Sequence, residues 1–210
     1  MTPAGPDTTR DAVLAAARTL FLTRGYHATA MRTIAAAAGV STGPLYFHFA
    51  SKAEIFYHTC CQAYDRLFAA FGRAVESETV SGLKLRAIFT AYWDFFRIEP
   101  ELFAILHLAE NPLAGIDLPD DLAAKLAARH AQIISHMEAI IRDGIAAGEL
   151  KPFDAHSLAL FLHSVAEGIF QAYKSGQLGP GRAGLDAMIA TAAGVIGEGM
   201  VSAPPRGDRP

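Results

Sequence analysis

Met31–Phe49 constrains this chain more than any other stretch. It reads Met-Arg-Thr-Ile-Ala-Ala-Ala-Ala-Gly-Val-Ser-Thr-Gly-Pro-Leu-Tyr-Phe-His-Phe, a pattern that predicts two short helices joined by a tight turn. Ala35 is small enough for the second helix to pack close across it. Gly39 follows four residues later, where the chain must leave the first helix, and glycine tolerates the positive φ that such an exit takes. Val40 and Leu45 are the apolar plugs that set the angle between the helices. Ser41 is expected to be the N-cap of the second helix, its hydroxyl accepting from free backbone N–H groups. Pro44 falls in that helix's first turn, where a missing N–H costs little. The residues left outward are Thr42, Gly43, Pro44, Tyr46, Phe47 and His48. A solvated helix has little reason to display so many aromatic and small groups, whereas a helix lying in a DNA groove does, and a helix-turn-helix unit puts it there.

The remainder reads as helices. Alanine is abundant, and Val, Ile and Thr do not cluster at period two, which favours helix over strand. Thr8-x-x-Asp11 resembles a capping box, and Val13, Ala17, Leu20 and Phe21 recur at helical spacing up to Arg24, with Gly25 as the stop. Ser51-x-x-Glu54 caps a helix from Lys52 to about Val75. Further helices are expected over Leu83–Ile98, Glu101–Glu110, Asp120–Ala147, Ala155–Lys174 and Leu185–Val201, separated by loops carrying Gly and Pro. The expected fold is all-α: a three-helix DNA-binding domain over residues 8–54, then a larger helical domain over 55–201. Residues 1–7 and 202–210 are expected to be disordered tails.

Charge and cysteine usage narrow the function classes. The formal net charge is −3, which excludes a generally basic nucleic-acid coat. Residues 1–54 nonetheless carry Arg10, Arg18, Arg24, Arg32 and Lys52 against Asp7, Asp11 and Glu54, a net of +2, leaving −5 on the rest. Such a protein meets DNA with one end. The two cysteines, Cys60 and Cys61, are adjacent, which excludes a disulfide framework and suits a reducing compartment. No signal peptide and no run of about 20 apolar residues is visible, so a cytoplasmic protein without membrane attachment is expected.

Several runs together resemble the TetR family of bacterial transcriptional regulators. They are Gly25-Tyr26, Thr29–Ala35, Ala38–Gly43, Leu45-Tyr46-Phe47-His48-Phe49 and Ser51-Lys52, with unbroken spacing across roughly residues 8 to 56. The resemblance places Ser41, Thr42, Gly43, Pro44, Tyr46, Phe47 and His48 at the DNA. On that helix Tyr46 and His48 suit phosphate oxygens, while Pro44 and Phe47 suit thymine methyl groups. Arg32 is expected to reach a base or phosphate, and Lys52 to clamp a phosphate. Two positions depart from the family pattern. Ala30 stands where a hydroxyl is common, and Pro44 where a hydroxyl or alanine is common.

The resemblance also implies a small-molecule effector in the second domain, a homodimer and a double-stranded DNA operator. Phe89, Trp93, Phe96, Phe103, His107, His130 and Met137 are the expected effector-binding residues, the two histidines as polar handles. On the last two long helices, an apolar stripe (Leu158, Leu162, Val165, Ile169) and a small-residue stripe (Ala187, Ala190, Thr191, Gly194, Gly197) are the expected dimer interface, as a four-helix bundle. No metal site is expected. His58, Cys60 and Cys61 sit at helical offsets that do not converge on one ion, His130 and His136 lie on different faces, and His156 and His163 are two turns apart. No nucleophile or acid–base motif and no phosphate-cradling loop is present, so neither catalysis nor a cofactor is expected. The expectation is a ligand-released repressor on a palindromic operator. A binding protein of the same fold with weak DNA affinity is the alternative, and a helical enzyme a more distant one.

Overall fold

The computed structural model describes residues 6–201. Among them are nine α-helices: α1 (Pro6–Arg24), α2 (Met31–Ala37), α3 (Thr42–His48), α4 (Lys52–Val75), α5 (Ser81–Ile98), α6 (Pro100–Glu110), α7 (Asp120–Ala146), α8 (Ala155–Lys174) and α9 (Ala183–Met200). A single 3-10 turn, Pro112–Ala114, follows α6, and an isolated bridge pairs Leu150 with Val201. There is no strand among the described residues. The all-α fold with an N-terminal helix-turn-helix unit is as the sequence pattern predicts.

Packing divides the chain into two compact units. Of the described residues, the first comprises 6–69 and 94–130, the second 70–93 and 131–201. In the first unit α1 is the buttress. It packs on α2, α3 and α6, and it buries Val13, Leu14, Ala17 and Phe21 at the helical spacing that identifies it. Phe21, Tyr26 and Phe56 form a cluster with ring centroids 5.3–5.5 Å apart, in tilted and edge-on geometry. Arg18 donates to Glu101 at 3.0 Å, and His27 Nε2 lies 2.8 Å from the Gly115 carbonyl, so the reader shares its unit with α6 and the loop beyond.

In the second unit α8 packs on α9. Asp154 caps α8 by accepting from the Ser157 amide at 2.8 Å. The far end of α9 is tied down by the Lys151 ammonium, which donates to the Gly199 carbonyl at 2.7 Å, and by the Lys151 amide, which donates to the Met200 carbonyl at 2.9 Å.

Several local expectations are corrected. Helix α1 begins at Pro6, so Thr8 lies inside it and Pro6 and Asp7 are helical; of the expected tails, residues 1–5 and 202–210 lie outside the described residues. Helices α5 and α9 each begin two residues earlier than expected, at Ser81 and Ala183. Ser41 is the N-cap of α3, but its side chain makes no cap hydrogen bond. Pro44 removes one of the two donors that such a cap uses, and the Gly43 amide, the other, is not engaged. A capping oxygen accepts from the amide at the second or third helical position, and here the third is a proline with no N–H. The Ser51 cap on α4 is realised as expected: its hydroxyl accepts from the Glu54 amide at 3.1 Å, and Glu54 reaches back to the Ala50 amide at 2.6 Å.

Candidate nucleic-acid interface and effector cavity

The helix-turn-helix is held from beneath by few side chains. Ile34 and Ala35 of α2 and Leu45 of α3 are buried, and Phe49 closes the far end. Between the helices Gly39 has φ +69°, a left-handed conformation in which any other residue is strained. The Val40 amide then donates to the Ala35 carbonyl at 3.0 Å, and Val40 is half-buried. With only Leu45 and Phe49 turned inward, the rest of α3 faces out. Ser41, Thr42, Gly43 and Pro44 are exposed, Tyr46 is 55% exposed and Phe47 85% exposed. His48 is half-buried, its ring centroid 5.3 Å from that of Phe47.

The cations differ from one another. Arg32 is exposed on α2. The Lys52 ammonium is half-buried, donates to the Tyr26 carbonyl at 2.8 Å and the His27 carbonyl at 3.5 Å, and stands 4.3 Å over the Tyr26 ring. Burial holds its pKa below the ordinary lysine value, and burial followed by the charge of Asp117 raises that of the Tyr26 phenol. Arg18 is paired with Glu101. Arg10, which the sequence singles out only as one of the positive charges of this end, lies 5.5 Å from the centre of the Phe49 ring, beside the end of α3. At the N-terminus of α2, Ala30 offers no side-chain cap.

The second unit contains a cavity of about 370 Å³. Helix α5 supplies the largest share of its wall, including Gly82, Leu85, Arg86, Phe89 and Tyr92, and α4, α7, α8 and α9 line it too. Phe89 and Met137, both expected at the effector, line it. Trp93 is buried in the same unit, its ring centroid 6.3 Å from Phe89 and 5.4 Å from Tyr92, but it is not in the wall. Phe96, Phe103, His107 and His130 belong to the first unit. There Phe103 packs between Phe96 and His107, at 5.0 and 4.4 Å, while Glu110 accepts from the Tyr64 hydroxyl at 3.1 Å and lies 2.7 Å from His130 Nδ1. Arg86, Tyr92 and Ala166 are wall residues the sequence reading passed over, and Gly197, expected in the partner-facing stripe, lines the wall as well. The available signal was on α5, where 82, 85, 86 and 89 share one face at helical spacing.

The two stripes assigned to a partner subunit differ in exposure. On α8, Leu158, Leu162 and Ile169 are buried within the chain and Val165 is half-buried; the exposed apolar groups are Leu160 and Phe161. On α9, Ala187, Ala190, Thr191 and Gly194 are all exposed, with Met188 and Val195 beside them, and Gly194 also touches the cavity. His58, Cys60 and Cys61 form no converging ligand group among the described residues. Both thiols are free, and burial raises that of Cys60 well above the ordinary value. No helix among the described residues is long and apolar enough to cross a membrane.

Residues 13–58 match the family model of bacterial regulatory proteins of the tetR family. The chain is 30% identical over 151 residues to the HTH-type transcriptional repressor KstR2 of Mycolicibacterium smegmatis, which covers 72% of each chain. It is 35% identical over 100 residues to the HTH-type transcriptional activator FasR of the same organism, spanning 48% of this chain and 46% of that relative's length. Among solved structures, a TetR transcriptional regulator from Chloroflexus aurantiacus J-10-FL superposes with a TM-score of 0.78 at 23% identity, over 94% of this chain and 98% of the other.

Proposed function

The chain belongs to the TetR family and is a transcriptional regulator of that family, and on that footing we propose that it is a repressor, bound as a homodimer to a palindromic operator and released by an apolar or amphipathic effector. The observation that carries the DNA-binding part is the exposure of Phe47 and Tyr46 on a seven-residue helix. Water gives no reason to present two aromatic rings there, and a major groove does. In this reading residues 8–54 read the DNA, with Arg32 and Ser41–His48 at the bases and phosphates, and residues 55–201 hold the effector and the partner subunit. Two readers about one DNA turn apart, ~34–36 Å, double the base pairs read.

The effector site is the cavity along α5. A ligand there releases the operator only through its differential affinity for the two dimer shapes, and ~1–3 kcal/mol of coupling corresponds to ~5–150-fold weaker DNA binding. The partner surface is the exposed face of α9, with Leu160 and Phe161 of α8 beside it. The wide coverage of the repressor KstR2 favours repression over activation.

A second reading draws on the Lys52 ammonium turned toward backbone carbonyls and on the absent hydroxyl at Ala30. It is the same fold with weak DNA affinity. Selection of random DNA fragments by the purified protein at one stated salt concentration, with His48→Ala beside it, tests both. Recovery of a palindrome by the wild type and its loss in the variant supports the repressor reading. Absence of any enriched motif, with affinity that is insensitive to salt, favours the second, because phosphate contacts must release counterions.

A further inference from the structure

From Gly82 to Tyr92 the cavity of the second unit follows α5 for ten residues, roughly 15 Å of helix. Leu85, Phe89, Met137 and Ala166 keep its wall apolar. The polar side chains in the lining are Arg86, Tyr92, His163 and Glu198. Tyr92 is buried at the inner end, and its hydroxyl donates to the Glu167 carboxylate at 2.6 Å. The solvent side is marked by exposed Val80, Leu83 and Val201, and Arg86 and Glu198 are exposed there too. Arg86 makes no hydrogen bond and no ion pair among the described residues.

We propose that the effector is a single-chain amphiphile with an anionic head, its tail lying along α5 and its head on the Arg86 guanidinium. This rests on the reading of the cavity as the effector site. The tail follows from an apolar space of about 370 Å³ that runs beside α5 from Gly82 to Tyr92, near the small end of ligand pockets. The head follows from the charges. A guanidinium with its fork unused matches a carboxylate or phosphate bidentately. The inner end is closed to an anion by Glu167, whose carboxylate already accepts the Tyr92 hydroxyl hydrogen bond. Glu198 argues for a cation instead, but the Lys151 ammonium on the neighbouring Gly199 carbonyl offsets it. Lys84 adds a further positive charge to α5, and the Glu149 carboxylate on the same side is held by the Ser81 amide at 2.7 Å.

The test is a titration of the full chain with decanoate, 1-decanol and decylammonium, three heads on one tail, below their aggregation concentrations. The fluorescence of Trp93, the only tryptophan, is the readout, since it packs against two wall residues. Decanoate is expected to bind at least ~tenfold tighter than the other two, as a charge-assisted hydrogen bond requires. Arg86→Gln should abolish that preference and leave decanol unchanged. Gly197→Leu, which fills open space in the wall, should weaken all three. Equal affinities unaffected by Arg86→Gln but weakened by Gly197→Leu would overturn the anionic head and keep the cavity as the site. Preference for decylammonium would overturn it in favour of Glu198. No binding by any probe, or binding indifferent to Gly197→Leu, would overturn both the head and the cavity.

Discussion

The Lys52 ammonium is fastened to Tyr26, 2.8 Å from its carbonyl oxygen and 4.3 Å above its ring. The first turn of α4 is thereby joined to the loop between α1 and α2. A residue whose pattern suggested a phosphate clamp is also a structural tie. Lys52→Met should therefore lower the unfolding free energy by about 1 kcal/mol, the sum of a modest hydrogen bond and a partly exposed cation–π contact. Denaturant titration checks this. An unchanged midpoint, with a salt slope of DNA binding reduced by about one, would make Lys52 a phosphate contact only.

Phe47 is 85% exposed and contributes almost nothing to the core. Phe47→Ala should leave the unfolding free energy within about 0.5 kcal/mol of the wild type. Its operator affinity should fall at least tenfold, ~1.4 kcal/mol. Fluorescence anisotropy on the selected operator measures the second, and thermal unfolding the first. A large loss of stability would place the ring in the fold and remove it from the proposed interface.

Gly144 should resist replacement although it sits in a helix. A Cβ there would lie 2.6 Å from the Ser81 Cβ and 2.8 Å from the Leu150 Cδ1, where the start of α5 and the turn after α7 close on it. Alanine gains up to ~1 kcal/mol in helix propensity. Overpacking costs ~1–3 kcal/mol, so Gly144→Ala should be net destabilising. A raised melting temperature would show that this contact yields.

His58 gives the fold an acid-sensitive position. Burial, then the Arg10 charge, hold its pKa below the ordinary value, with Glu54 opposing. The folded state thus prefers the neutral ring. Its contribution is complete above the unfolded pKa of about 6.5 and is lost as the pH falls through the lower folded value. His58→Gln should lose less stability than the wild type between pH 7 and pH 5. Equal losses in urea melts at those two pH values would assign the acid limb to other groups.

The helices were legible because their signals are local. Lys52–Val75 and Ala155–Lys174 have the bounds that caps and stops indicated. The outward face of α3 was legible too, since Leu45 and Phe49, four apart, leave only one face inward. The orientation of α8 was not. Leu158 and Leu162 are buried while Leu160 and Phe161 are exposed, so the helix is apolar around much of its circumference and its period does not say which side meets the core. The cavity was legible only at Phe89 and Met137, two of the seven residues expected there. Phe89 and Met137 are bulky and stand out, but Arg86 and Gly197 enter the wall only because five helices converge there, and no local pattern encodes that.

Helix α3 is seven residues long, too short to persist alone in water, yet its buried Leu45 and the adjacent Phe49 hold it in shape before any duplex arrives. Under the proposed function, docking then orders no backbone at the contact surface. The heat-capacity change on binding should correspond to the apolar area covered by the rings of Tyr46 and Phe47 and their neighbours, and should lack the much greater decrease that accompanies coupled folding.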